Sequence, residues 1–275
     1  MTETIQALLQ QRMSDSSIAV KYHDLQWTWR EYLAEAAARA AGLIAAADPD
    51  RPLHIGSLLG NTPEMLAQMA AAGLGGYVLC GLNTTRRGEA LAADIRRAEC
   101  QIIVTDAENR SLLDGLDLAD VEIFDTSTPR WAELVGGAGS LVPHRKVEMM
   151  DPFMMIFTSG TSGNPKAVQV SRLMPTFAGR SLTERFGAVG SRHLLCVHAP
   201  FSFQCGGRWM GTRGGLGRGD RPGEVLSDRV PGRHSPLSGH LYELRRQATG
   251  LHPCHARTRR RRRESAARGF WQRGQ

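Results

Sequence analysis

The sequence lacks the features that mark several classes of protein. Its 275 residues include 5 cysteines, an odd number without the spacing of a zinc site or a disulfide framework. Isolated thiols are typical of a reducing compartment, and the N-terminal residues carry an acid at Glu3 and no apolar signal segment. The longest apolar stretch, 65–82, is interrupted by Gln68 and by Gly75-Gly76, which argues against a membrane span. We therefore expect a soluble, cytoplasmic protein with no transmembrane segment.

Three residue types are missing from the last part of the chain. Residues 191–275 contain no lysine, isoleucine or asparagine, and their 17 arginines against 5 acidic residues give a net charge of +12. Residues 1–190 hold 17 basic and 22 acidic residues, a net charge of −5. This change in composition predicts a boundary at about residue 190.

A hairpin and a helix are predicted near the start of the chain. Alternating apolar residues over 17–21 and 25–28 flank a short polar turn, which is a hairpin pattern. Thr28 and Glu31 then form a capping box that begins a helix ending near Ala47. Its apolar face is predicted to consist of Leu33, Ala37, Ala41 and Ile44.

Strand and helix patterns alternate from there to residue 135. The predicted strands are 53–59, 77–80, 101–105 and 121–125. One predicted helix begins at Thr62, and the other three span 88–98, 106–116 and 129–135. Continuous apolar strands between amphipathic helices predict an α/β fold, a parallel doubly wound sheet with helices on both faces. Residues 136–151 are predicted to form a surface connection.

A fifth buried strand, 153–157, runs directly into a loop of small hydroxyl residues, two glycines and one lysine. Glycines let backbone N–H groups approach phosphate oxygens, the hydroxyls add donors, and Lys166 adds a positive charge. Pro165 precedes this lysine and no Ser or Thr follows it, so the loop is not a Walker A loop. The pattern predicts a phosphate-binding loop over 157–168.

This loop, TSGTSGNPKAV, resembles the signature phosphate loop of the adenylate-forming (AMP-binding) enzymes, which include acyl-CoA synthetases, firefly luciferase and peptide-synthetase adenylation domains. The upstream residues that match the family pattern are Asn61, Gly73, Gly76, Leu82-Asn83 and Glu89. The resemblance covers about residues 5–190 and is closest to the fatty-acid–CoA ligases. It implies that 1–190 is the first part of the large N-terminal domain of such an enzyme.

The resemblance implies a reaction in two steps. A carboxylate attacks the α-phosphate of MgATP to give acyl-adenylate and pyrophosphate, and the thiol of CoA then displaces AMP. The implied cofactors are ATP, Mg²⁺ and CoA, and the implied partners are small molecules rather than a specific nucleic acid. The residues implied to hold the ATP phosphates are Thr158, Ser159, Gly160, Thr161, Ser162, Gly163 and Lys166.

Other implied roles have no counterpart in this sequence. No catalytic residue is assigned, and neither a Mg²⁺ site nor a CoA site is expected within the chain. Arg172 stands near a position where relatives often carry a histidine, so it receives no role. His54, Trp27, Trp29 and Trp131 are expected to be structural. Asp106 and Asp125 lie at predicted strand ends, where a helix-cap role explains them as well as a ligand role does.

Residues 191–275 depart from the family pattern, because its aromatic-His, adenine-binding and ribose-binding motifs and its second catalytic lysine are missing. Possible codons for 198–205, read one nucleotide later, give Met-Pro-Leu-Phe-His-Ser-Asn-Ala, which is similar to the missing aromatic-His motif. Three further stretches give family-like residues in the same phase. We therefore interpret 191–275 as an out-of-frame, disordered tail, and we expect the chain to be truncated and inactive.

Two alternatives remain for this tail. It could be a native disordered basic segment, or a nucleic-acid-binding module built on the five consecutive arginines 259–263. Against the second, the segment lacks interleaved aromatic residues for stacking, and His252, Cys254 and His255 are too crowded for a zinc site.

Overall fold

The structure, a computed structural model, describes residues 3–158 and 166–186. The strands are β1 (Ile18–Tyr22), β2 (Leu25–Thr28), β3 (His54–Leu58), β4 (Val78–Gly81), β5 (Ile102–Thr105), β6 (Glu122–Asp125), β7 (Pro152–Thr158) and β8 (Lys166–Ser171). The helices are α1 (Ile5–Gln10), α2 (Trp29–Ala46), α3 (Pro63–Gly75), α4 (Gly88–Arg97), α5 (Pro129–Gly136) and α6 (Leu173–Phe186).

The main sheet has six strands in the order β6-β5-β3-β4-β7-β8. The first five are parallel to one another, and β8 runs antiparallel to β7. The strands β1 and β2 form the separate antiparallel hairpin that the sequence predicts. The predicted α/β fold is confirmed, while β8, α6 and α1 are elements that the sequence reading did not identify.

The central strands β3, β4 and β5 of the main sheet are buried on both faces. In β5, Ile102 and Val104 belong to the larger core, on the side of α2 and α3, whereas Ile103 belongs to the smaller core, on the side of α4. In β4, Leu79 belongs to the larger core and Cys80 to the smaller one. Successive side chains of a strand point to opposite faces, so this division places an apolar layer on each side of the sheet.

The hydrogen bonds at the start of α2 confirm the predicted capping box, but the buried face of this helix is rotated from the predicted one. Thr28 Oγ1 accepts a hydrogen bond from Glu31 N, and Glu31 Oε2 accepts one from Thr28 N. Of the four residues expected on the buried face, only Leu33 is fully buried, while Ala37 and Ile44 pack against the core and are partly buried. The residues that join Leu33 in the core are Tyr32, Ala36, Ala40 and Leu43. The helix α2 packs against both α3 and α5, and its buried residues include an arginine, Arg39.

The helix predicted over 106–116 is wrong. Only one turn of 3₁₀ helix, Arg110–Leu113, follows β5. The carboxylate of Asp106 accepts hydrogen bonds from the backbone N–H and the side-chain amide of Asn109, at 2.9 Å and 2.8 Å, and so closes a tight turn. Asp114 is already extended, with φ −69° and ψ 133°, so the helical path ends before Gly115, whose φ is +72°.

The segment 137–151 connects α5 to β7 over the surface, as predicted, and it also covers the end of α3. Gly76 ends α3 with a φ of +78°, and His144 N donates to Gly75 O at 2.8 Å. Val147 is buried there, with its N–H directed at Gln6 Oε1. Within the described part of the chain, no helix is both long enough and apolar enough to cross a lipid bilayer.

Candidate phosphate-binding site

The predicted phosphate loop connects the antiparallel strands β7 and β8. In their register, Thr158 lies opposite Lys166, so the strand ends that flank the loop are paired with each other. Lys166 is exposed. The remaining predicted phosphate ligands, Ser159, Gly160, Thr161, Ser162 and Gly163, lie outside the described residues.

This end of the hairpin lies at the carboxyl edge of the parallel strands. Gly81 of β4 pairs with Ile156 of β7, and Ser57 of β3 pairs with Gly81, so the three strands end at the same edge. In open α/β sheets, ligands bind outside the carboxyl ends of the strands. The topology therefore brings Thr158 and Lys166 to the edge where a nucleotide is expected.

Two carboxylates at the same edge have structural partners. Asp106 follows β5 and closes the turn described above. Asp125 ends β6, and its Oδ1 accepts hydrogen bonds from Ser127 N at 2.8 Å and from Ser127 Oγ at 2.6 Å. Both carboxylates close short turns rather than cap helices: the N-cap of the 3₁₀ turn is Asn109 and that of α5 is Thr128. Across residues 3–158 and 166–186, no cluster of three or more His, Cys, Asp or Glu side chains could hold a metal ion.

The aromatic and histidine residues singled out in the sequence are structural. His54 Nδ1 lies 2.7 Å from Ala98 O. Trp27 and Trp131 are buried in the larger core, and Trp29 lies beneath the guanidinium of Arg12, 4.7 Å from ring centroid to Cζ. These contacts give all four residues structural roles, so none is assigned to the phosphate site.

Arg172, which the sequence reading left without a role, lies at the opposite end of the hairpin. It follows the last residue of β8 and is fully buried. Its Nη2 donates to Tyr77 O at 2.9 Å, and its Cζ lies 5.5 Å from the ring centroid of Phe153 in β7. Burial, followed by the charge of Arg145, lowers the pKa of Arg172 to about 10, so the group remains a cation at neutral pH.

The AMP-binding enzyme family matches residues 9–219, well over half of this sequence. The chain belongs to the AMP-binding enzyme family. This match extends beyond residue 190, and the boundary at that residue stays a prediction.

Curated relatives in this family are acid–CoA ligases. The chain is 41% identical to the medium/long-chain fatty-acid–CoA ligase FadD17 of Mycobacterium marinum over 169 residues, which are 61% of the chain and 33% of that protein. It is 36% identical to the steroid-22-oyl-CoA synthetase of Rhodococcus jostii over 190 residues, 68% of the chain and 34% of that protein. The chain therefore spans about a third of the length of these relatives. The resemblance to the fatty-acid–CoA ligase branch is confirmed.

Solved structures share the fold. ATP-bound MatB from Rhodopseudomonas palustris superposes with a TM-score of 0.68 at 18% identity, covering 78% of this chain and 44% of that one. The complex of VinN with 3-methylaspartate gives a TM-score of 0.67 at 21% identity, covering 78% of this chain and 61% of that one. At these identities the likeness concerns the fold alone.

Proposed function

We propose that this chain is the ATP-phosphate-binding part of a fatty-acid–CoA ligase. The observation that carries the proposal is the hairpin of β7 and β8, whose strand ends at Thr158 and Lys166 flank the hydroxyl- and glycine-rich segment and lie at the carboxyl edge of a mostly parallel sheet. Relatives named as a medium/long-chain fatty-acid–CoA ligase and a steroid-22-oyl-CoA synthetase support an apolar carboxylic acid as the substrate class.

The loop's chemistry suits the triphosphate of ATP. Backbone N–H groups and hydroxyls over 158–163 would hold the β- and γ-phosphates, and Lys166 would add a charge that stabilises the departing pyrophosphate. ATP, when bound, supplies the α-phosphate that the substrate carboxylate attacks. Mg²⁺ and CoA belong to the same proposal as cofactors of the two steps, although their sites are assigned to no described residue.

Calorimetric titration with inorganic pyrophosphate tests the loop separately from catalysis. The chain should bind pyrophosphate, and Lys166→Ala should weaken binding roughly 10- to 150-fold, the loss expected for one charge-assisted contact. Lys146→Ala is the matched control, because Lys146 is an exposed lysine on the 137–151 connection. Absence of binding by the unaltered chain, or equal weakening by both variants, would refute the assignment.

We further propose that the chain does not complete the reaction. Residues 191–275 supply no recognisable adenine, ribose or second lysine motif, and a phosphate cradle alone fixes no geometry for in-line attack. Incubation with ATP, Mg²⁺ and a long-chain fatty acid should therefore release no pyrophosphate above background. Steady release that depends on the fatty acid would contradict this expectation.

Resequencing the gene from codon 180 past the stop codon tests the origin of the tail. A single inserted or deleted nucleotide near codons 190–193 should restore the Met-Pro-Leu-Phe-His reading and open a longer frame. If no family motif appears in any frame, the out-of-frame interpretation is wrong. The arginine run 259–263 would then be tested for salt-sensitive nucleic-acid binding.

A further inference from the structure

The register of the β7–β8 hairpin changes at the end opposite the loop. Pro152 pairs with Ser171, and the next paired residue of β7, Met154, faces Val170. Phe153 is therefore an extra residue in β7, a β-bulge. Such a bulge shifts the pairing of every later residue of the hairpin by one position.

Arg172 lies against this bulge. Its guanidinium is stacked over the Phe153 ring and reaches across β7 to donate to Tyr77 O, just before β4. Its backbone N–H donates to Asp151 O at 2.9 Å, and its carbonyl accepts from Thr176 Oγ1 at 3.1 Å. The side chain thus ties the end of β8 to the bulged residue of β7 and to β4 together.

We propose that Arg172 is a positioning residue for the phosphate loop: it holds the bulge at Phe153 and thereby the register that places Lys166 opposite Thr158. The part that concerns phosphate rests on the proposed function, whereas the part that concerns register does not. Neither part requires Arg172 to touch a ligand, since it lies at the far end of the hairpin from the loop.

The alternative register can be stated residue by residue. If Pro152 stays opposite Ser171 and the bulge is lost, Met155 moves from facing Gln169 to facing Val168. Lys166 then faces Phe157 instead of Thr158. A slip of one residue sends each side chain of the moving strand to the other face of the sheet, so Lys166 would leave the side on which it now stands.

The buried guanidinium is costly, which fits a role in register. Among the described residues, its Nε and Nη1 have no hydrogen-bond partner, and none of the ion pairs found there includes Arg172. Burial of an incompletely paired charge is unfavourable, and fixing register is the best-attested use of such groups. Hydrophobic packing contributes as well, because Val170 is buried and resists the slip.

Disulfide trapping measures the register directly. The pair Met155→Cys with Gln169→Cys reports the observed register, and Met155→Cys with Val168→Cys reports the slipped one, since directly opposed residues are close enough for a disulfide. Each pair is oxidised in the full chain, with and without Arg172→Ala, and cross-linked peptides are quantified by mass spectrometry. We expect the ratio of slipped to observed cross-link to rise roughly tenfold with Arg172→Ala, the effect of losing about one such interaction.

Two further variants keep the register test decisive. Arg172→Met preserves most of the side-chain volume, so it should show the same rise even if Arg172→Ala fails to fold. Arg180→Ala removes an exposed arginine of α6 and should leave the ratio unchanged. An unchanged ratio in Arg172→Met, or an equal rise in Arg180→Ala, overturns the proposal.

Pyrophosphate titration separates this proposal from the assignment of the loop. If the unaltered chain binds pyrophosphate, Arg172→Met should weaken binding roughly tenfold, in parallel with the loss of register. A register that slips while pyrophosphate affinity stays constant would refute the link between Arg172 and the phosphate site. If the unaltered chain binds no pyrophosphate, the proposed function fails, and the cross-linking ratio still decides whether Arg172 sets the register.

Discussion

Replacing one partner of the buried ion pair between α2 and α3 should destabilise the chain more than any other single polar substitution that we consider. Arg39 Nε and Nη2 donate to the two oxygens of Glu64 at 2.8 Å and 2.7 Å, and the two side chains are 6% and 8% exposed. Gln68 adds a third hydrogen bond to Glu64 at 2.8 Å. Removing Arg39 leaves the Glu64 carboxylate buried without this counterion, and removing Glu64 leaves the buried Arg39 with the longer contact to Glu35, 3.8 Å from Nη1 to Oε2.

The expected loss follows from that geometry. Breaking a buried ion pair from one side costs about 3–5 kcal/mol. For a domain of this size, that corresponds to a fall in Tm of roughly 6–20 °C. Glu64→Gln and Arg39→Met should each show such a loss by thermal unfolding followed with circular dichroism. The double variant should lose less than the sum of the two, because no unpaired charge remains.

The pH dependence of the free energy of unfolding gives a second test of the Arg39–Glu64 pair. Burial alone would raise the pKa of Glu64, but the charge of Arg39 and the hydrogen bonds from Arg39 and Gln68 outweigh it and lower the pKa below its usual value. A carboxylate whose pKa is lower in the folded state stabilises the fold above its unfolded pKa. This stabilisation is lost as the pH falls through the folded pKa. The stability advantage of the unaltered chain over Glu64→Gln should therefore shrink on acidification. The reasoning would be refuted if the stability losses of the two single variants added up in the double variant, or if the advantage stayed constant as the pH fell.

Three smaller perturbations test local features of the fold. Thr28→Ala removes the capping box of α2 and should cost about 0.5–2 kcal/mol in urea unfolding. Gly76→Ala should cost at least about 1–2 kcal/mol, because the φ of +78° is left-handed and the new Cβ would lie 2.5 Å from Arg145 O; a neutral result would contradict that conformation. The hydrogen bond with Cys100 and burial raise the pKa of Cys80 well above its usual value, so its thiol should resist alkylation in the native chain and react after unfolding.

Local signals predicted much of the fold. The capping box at Thr28 and the Pro63 at the start of α3 are each encoded by residues adjacent in sequence, and both elements begin where expected. The apolar strands that become β3, β4, β5 and β6 were also found within two residues of their ends. Short-range chemistry fixes such starts and stops, so one sequence suffices to locate them.

Long-range pairings account for what the sequence did not predict. Arg39 and Glu64 are 25 residues apart, and nothing in the periodicity of α2 indicates that an arginine belongs on its buried face. Arg172 is 95 residues from Tyr77, whose carbonyl it reaches. The loop motif located the candidate site, but the strand β8 that closes the hairpin carries exposed residues at Lys166, Val168 and Gln169, and so has little of a buried strand's pattern.

Salt dependence distinguishes the role of Lys166, at the loop end of the hairpin, from that of Arg172, at the opposite end. Lys166 is an exposed cation beside the loop, so its contribution to pyrophosphate affinity should fall as ionic strength rises, since solvent-exposed charges are screened. Arg172 is buried about 20 Å away along β7, a distance estimated from the rise per strand residue, and it acts through register rather than through its field. The loss caused by Lys166→Ala should therefore diminish between low and high salt, whereas the loss caused by Arg172→Met should persist. If both losses diminish together, Arg172 contributes by long-range charge, and its positioning role is wrong.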